Sequence, residues 1–129
     1  MPDDELHQWK PLLEDLAQRR DRAVAMGGPD QVARQRSMGK MPIRERLVLL
    51  LDPGTFVEYG LLADSMDHEL TRTKGYLAAD GMVSGVGEIE GRRVAICAYD
   101  FTVLAGSMGL IGEQKTARMR EVALRQRIP

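Results

Sequence analysis

An α/β fold is predicted by three features of the sequence. Residues 1–52 are highly charged and carry helix-period apolar spacing. Two β-rich runs, residues 81–89 and 94–99, are joined through Glu90-Gly91. A glycine-rich connection then leads into a last helical stretch, residues 113–127. Segments that switch from a helical period to strand-forming runs and back indicate mixed layers rather than an all-helical bundle.

In the first part, Leu13, Leu16, Ala17, Arg20 and Val24 fall at spacings of three and four. Pro11 is best accommodated in a first turn, so the helix is expected to start near Lys10. Gly27-Gly28 offers a C-terminal cap, and Pro29 opens a second helix through about Ser37. A third helix is expected from Pro42 to Leu51, with Ile43, Leu47, Leu50 and Leu51 on its apolar face. Asp52-Pro53-Gly54 ends it, because proline disfavours helical dihedrals in the residue before it.

From Thr55 the character changes. Thr55 to Tyr59 reads as a strand, being β-branched and aromatic. Residues 64–80 are polar and without period, and are expected to form a long loop. Val94 to Tyr99 is a near-continuous apolar run, as in a strand buried on both faces. The terminal helix should turn Met119, Val122 and Ala123 to one side. A buried strand followed by a crossover helix asks for a further parallel strand beside it. The sequence stops at Ile128-Pro129, so the expectation is an incomplete α/β domain: residues 1–54 a helical segment, residues 55–129 the first part of the domain.

Composition excludes several classes. Of 129 residues, 18 are basic and 19 acidic, giving a net charge of −1, without the basic excess of a nucleic-acid binder. The 43% apolar content is clustered and too high for a disordered chain. No apolar run approaches the roughly 20 residues a membrane helix needs. The acidic start, Met1-Pro2-Asp3-Asp4-Glu5, is unlike a signal peptide, and a single cysteine suits a reducing compartment. A cytoplasmic protein with no membrane or nucleic-acid partner is expected.

Three ordered stretches carry a family resemblance. Lys40-Met41-Pro42-Ile43-Arg44-Glu45-Arg46-Leu47 runs on to Leu51-Asp52-Pro53-Gly54-Thr55-Phe56-Val57-Glu58. Asp80-Gly81-Met82-Val83-Ser84-Gly85-Val86-Gly87 is followed by Gly91-Arg92-Arg93-Val94. Asp100-Phe101-Thr102-Val103-Leu104-Ala105-Gly106-Ser107-Met108-Gly109 precedes a helix carrying Lys115. Together they resemble the N-terminal part of biotin-dependent carboxyltransferases, the β subunits of propionyl-CoA and methylcrotonoyl-CoA carboxylase. Pro42 stands where the family has a capping Thr, and Ala105 where it has the first glycine of a pair.

The resemblance implies an incomplete crotonase-like domain. It implies transfer of a carboxyl group from carboxybiotin, held on a partner carrier, to the α-carbon of an acyl-CoA. It also implies a biotin carboxylase or biotin carboxyl carrier subunit as partner, and a homo-oligomer for the complete protein. The family's Asp-Ser-Gly-Gly-Ala-Arg stretch, expected after Pro129, is outside this sequence, so the 129 residues alone are expected to be inactive.

Enolate formation at a thioester needs preorganised donors, and backbone N–H groups provide them without any pKa requirement. A glycine-rich loop leading into a helix suits that task. Leu104, Ala105 and Gly106 are therefore the candidate oxyanion donors; a tight turn with no ligand is the other reading. Lys115, Arg118, Arg120, Arg125 and Arg127 make the last helix basic. Lys115 and Arg118 are candidates for coenzyme A phosphates, against an ordinary solvated face. His7 and His68 have no metal-ligand neighbours, and one cysteine cannot build a structural zinc site, so no metal is expected. Cys97, in an apolar run, reads as buried and inert. Asp100 reads as orienting the loop rather than as a base. Gly85-x-Gly87 lacks the third glycine and helix of a dinucleotide fingerprint. A non-catalytic assembly module of an acyl-CoA carboxylase, or a piece of a related decarboxylase, remain alternatives.

Overall fold

The computed structural model describes the backbone of residues 3–129 and side chains from residue 8 onward, which leaves the His7 side chain outside the described residues. Five helices are described: α1 Asp3–Val24, α2 Pro29–Ser37, α3 Ile43–Leu50, α4 His68–Lys74 and α5 Leu110–Gln126. Three strands, β1 Val57–Glu58, β2 Met82–Ile89 and β3 Arg92–Tyr99, form one antiparallel sheet in the order β1-β2-β3.

The second and third helices stand where the sequence places them. α3 turns Leu47 and, just past its end, Leu51 inward, both 6% exposed. They meet Val83 of β2, with Ile43, Phe56, Ile89, Val94 and Ile96 around them. Leu50, expected on this face, is 52% exposed. The contact follows strict four-residue steps from Ile43 to Leu51, and Leu50 lies off that line. α1 begins well before Lys10, with Pro11 inside it. Pro11 sits in an exposed stretch, where the carbonyl left without its usual partner is open to water. Its expected face is not the buried one either. Leu13 is 59% and Val24 47% exposed, whereas Ala23 is 1% exposed.

The hairpin has the expected register, Ile89 opposite Arg92 and Met82 opposite Tyr99. Glu90 and Gly91 both adopt positive φ, 51° and 74°, as a two-residue primed turn demands. Asp52 braces this turn, its carboxylate accepting from the N–H groups of Glu90 (3.0 Å) and Gly91 (2.8 Å).

The burial of the two strands is the reverse of the expectation. β2, read as interrupted by glycine, is the central and buried strand. β3, read as buried on both faces, is an edge strand with Cys97 exposed. The glycines of β2 are demanded by close approach. A Cβ on Gly85 would lie 2.3 Å from the Val57 carbonyl, and one on Gly87 2.9 Å from Leu51. On the outer edge of β3 the Ala95 N–H donates to the Pro129 carbonyl at 2.8 Å. After α5 the chain thus returns alongside the outer edge of β3.

The exposed thiol yields a prediction. Partial burial against α5 pushes the Cys97 thiol up, while the Thr116 hydroxyl and Arg120 pull it back. A disulfide reagent is expected to modify Cys97 completely in the native protein, more slowly at neutral pH than a free thiol and faster as pH rises. Modification only after denaturation would restore the buried reading.

Two other stretches differ from expectation. Of Thr55–Tyr59 only Val57–Glu58 is strand, paired to Val86 and Gly85. The loop expected over 64–80 contains α4 and a 3-10 turn, Ala78–Gly81. The Asp67 carboxylate caps α4, accepting from the Leu70 N–H at 2.8 Å. Arg72 and Lys74 in the last turn and Gly75 after it complete a helix signature too short to show a period.

A candidate oxyanion loop on two left-handed turns

The glycine-rich connection leaves β3 at Asp100, which is 2% exposed. The Asp100 carboxylate accepts from the Thr102 N–H (2.9 Å) and hydroxyl (2.6 Å), fixing the first turn as the sequence suggests. The Thr102 hydroxyl oxygen in turn accepts from the Gly27 N–H at 2.9 Å, which ties the α1–α2 junction to the loop. Only glycine fits at position 27, since a Cβ there would lie 2.0 Å from the Thr102 carbonyl.

Past this anchor the backbone enters the left-handed region for three residues, with φ 45° at Leu104, 55° at Ala105 and 77° at Gly106. Two of them carry side chains, and non-glycine residues persist there only where their surroundings hold them; such strain clusters at functional sites. The Gly106 N–H is committed to the Val103 carbonyl (2.9 Å) and the Ser107 N–H to the Leu104 carbonyl (3.1 Å). Among the described residues no acceptor stands opposite the N–H groups of Leu104 and Ala105. Of the three candidates, these two have a free donor.

Two clefts flank the loop. One, about 440 Å³, runs from α2 past Tyr76 to Ala105, with Arg34 and Lys74 on its walls and no carboxylate among its lining residues. The other, about 410 Å³, lies on the α4 side between Met66, Leu70 and Met108. Leu104 lines both.

The floor beneath the loop is a second left-handed run: Ala79, Asp80 and Gly81, with φ 52°, 52° and 71°. The Asp100 N–H donates to the Gly81 carbonyl at 2.9 Å. Leu77 and Ala78 pack with Val103 and Leu104. The Asp80 carboxylate accepts from the Gly112 N–H in the first turn of α5, at 2.8 Å. Gly109 must lack a side chain, since a Cβ there would lie 2.3 Å from both Asp80 carboxylate oxygens.

The two cations expected to meet phosphates, Lys115 and Arg118, together line a separate cleft of about 320 Å³ beside Tyr59 and Gly60. Lys115 is 7% exposed, and its ammonium donates to the carbonyls of Ala79 (2.6 Å) and Met82 (3.3 Å). Burial lowers its pKa to about 8, with Glu58 and Asp80 acting the other way. Arg118 is on the surface and pairs with Glu121 at 3.1 Å. Neither side chain reaches the clefts beside the loop. Among the described residues, no group of three or more His, Cys, Asp or Glu converges as a metal site would require, and no helix is long and apolar enough to cross a membrane.

The sequence signal for this site was the Asp100–Gly109 stretch. What it did not show was Gly27, 75 positions from the Thr102 that it abuts, or the role of Ala78–Gly81.

Residues 34–129 match the carboxyl transferase domain. The chain belongs to that family. Among carboxyltransferase relatives, the propionyl-CoA carboxylase carboxyltransferase subunit of Haloferax mediterranei is 36% identical over 112 residues, 87% of this chain and 22% of that protein. The methylmalonyl-CoA carboxyltransferase 12S subunit of Propionibacterium freudenreichii is 40% identical over 112 residues, 87% of this chain and 21% of that one. A transcarboxylase 12S crystal structure, described as a hexamer with methylmalonyl-coenzyme A and methylmalonic acid bound, superposes with a TM-score of 0.83 at 38% identity. It covers 91% of this chain and 23% of that chain. The chain therefore spans under a quarter of the length of these carboxyltransferases. The match takes in the whole loop and its floor, but begins inside α2, after Gly27 and Gln31.

Proposed function

We propose that these residues form the acyl-CoA side of a biotin-dependent carboxyltransferase site, within a crotonase-like fold. The observation that carries this reading is the pair of uncommitted N–H groups at Leu104 and Ala105, held left-handed in residues that both line the carboxylate-free cleft. The return of the chain after α5 to the outer edge of β3, where the Ala95 N–H donates to the Pro129 carbonyl, supports the fold assignment.

The chemistry follows from the donors. Removing a proton from the α-carbon of a thioester places negative charge on the carbonyl oxygen. Fixed N–H dipoles stabilise that oxygen without reorganising, and more strongly as the enolate forms than in the ground state. Carboxybiotin, carried by a partner subunit, supplies the carboxyl group. This chain's part is to bind the thioester and hold its oxygen. Arg34 and Lys74, on the walls of the carboxylate-free cleft, are the cations placed to meet coenzyme A phosphates, in preference to Lys115 and Arg118. The complete protein is a cytoplasmic homo-oligomer on this reading.

Amide NMR spectra of the chain titrated with propionyl-CoA test it. Saturable shifts are expected at Leu104, Ala105 and the Arg34 and Lys74 walls. Shifts confined to α5 around Arg118, or an unmoved loop, would remove the assignment.

A further inference from the structure

Lys115 is a buried ammonium that the proposed chemistry does not use. It enters the fold from α5 and reaches beneath β2, its stem pressed so closely against Gly60 that a Cβ there would lie 2.9 Å from it. At its tip it bonds to the carbonyls of Ala79 and Met82, one on each side of Asp80-Gly81. Carbonyls inside a protein need donors, and a left-handed run of two non-glycine residues needs something to hold it. The ammonium meets both needs.

What this turn supports is the loop. A Cβ on Gly81 would stand 3.2 Å from the Ser107 carbonyl, the Gly81 carbonyl receives the Asp100 N–H, and Asp80 caps α5 while filling the space beside Gly109. The 104–106 run therefore rests on the 79–81 run. We infer that Lys115 is a positioning residue, clamping the Ala79-Asp80-Gly81 turn so that the N–H groups of Leu104 and Ala105 keep their aim at the thioester oxygen. The inference rests on the function proposed above, but its geometry does not require bound substrate. The charged and titratable groups acting on the ammonium are Glu58 of β1, Asp80 of the turn, Arg44 of α3 and Asp64 of the segment before α4. Glu58 is itself gripped by Arg44 at 2.7 and 2.9 Å.

Alanine-methyl ¹³C spectra, recorded without coenzyme A, test the clamp. Lys115→Met removes the donor and keeps most of the bulk. The Ala79 methyl in the turn and the Ala105 methyl in the loop should both shift, while Ala17 on α1 stays. Arg118→Ala, which removes an exposed cation from the same helix, should move neither. A Lys115 that only filled space would lower the melting temperature and leave Ala105 in place, and a folded Lys115→Met with Ala105 unmoved overturns the inference. If that variant does not fold, the native chain decides. As Lys115 loses its proton near pH 8, its pull on the two carbonyls and on Asp80 weakens. Ala79 and Ala105 should then shift together with a midpoint near 8, and an Ala105 methyl that stays fixed from pH 6.5 to 9.5 overturns the inference. Failure of the functional reading would appear separately, as no effect of propionyl-CoA on the loop.

Discussion

Gly106→Val, made in the active carboxyltransferase that carries these residues, is expected to lower turnover by roughly 10²–10³-fold, the loss typical of one oxyanion donor. Gly106 has φ 77°, which a β-branched residue tolerates badly. Space is not the obstacle, because a Cβ would stand 3.6 Å from Tyr99 and 3.8 Å from Phe101, both ordinary contacts. The strain is in the backbone, and it would be relieved by rotating Gly106 and with it the peptide between Ala105 and Gly106. The Gly106 N–H holds the Val103 carbonyl, so this rotation opens the turn that aims Leu104 and Ala105. The fall should appear in kcat more than in KM, because the Arg34 and Lys74 walls proposed to meet the coenzyme A phosphates belong to α2 and α4 and not to the loop. Ser107→Ala is the control. Ser107 is exposed, and the side chain that serves the first turn of α5 is Asp80, not Ser107, so the change should stay within about 0.5 kcal/mol in stability. A Gly106→Val enzyme that folds normally and keeps near-full turnover would mean that the loop is only a turn.

The parts of this fold legible in the sequence are those decided by neighbours along the chain. Glu90-Gly91 dictates a two-residue turn whatever surrounds it, and Pro29 and the Asp52-Pro53-Gly54 turn set helix boundaries locally. Asp100 was legible for the same reason, since its partners Thr102 and Val103 are two and three residues away. Burial was not legible where distant packing decides it. Val94 to Tyr99 has the composition of an inner strand, yet its place in the sheet depends on what pairs with its outer edge, where the Ala95 N–H donates to the Pro129 carbonyl. The glycines of β2 read as interruptions because the groups they admit, Val57 and Leu51, are roughly 30 residues away in sequence. The carbonyl partners of Lys115 were not legible for the same reason. Its sequence context is a basic helix, and only the fold shows two carbonyls of a left-handed turn at its tip.

Leu47→Ala is expected to destabilise the chain by about 2–5 kcal/mol, the range for truncating a core leucine. Leu47 is 6% exposed and joins α3 to β2 through Leu51 and Val83. Two features place the cost toward the upper part of that range. Val83 is 1% exposed and lies in the central strand, paired with Ala98 of β3, so the wall of the cavity is fixed by the sheet and collapses little. α3 is also anchored at a second point, where Arg44 grips Glu58 of β1 with its two terminal guanidinium nitrogens, so the helix cannot slide to fill the gap without loosening a largely buried ion pair. Breaking such a pair leaves charge without compensation, which costs more than the void. Urea unfolding reads the effect as a lower midpoint with an unchanged slope, because the surface exposed on unfolding is nearly the same. Leu50→Ala on the same helix is the comparison. Leu50 is 52% exposed and should cost under about 1 kcal/mol. Equal losses at the two positions would place both leucines in one core, as the helical period alone suggested, and would contradict the α3–β2 packing described here.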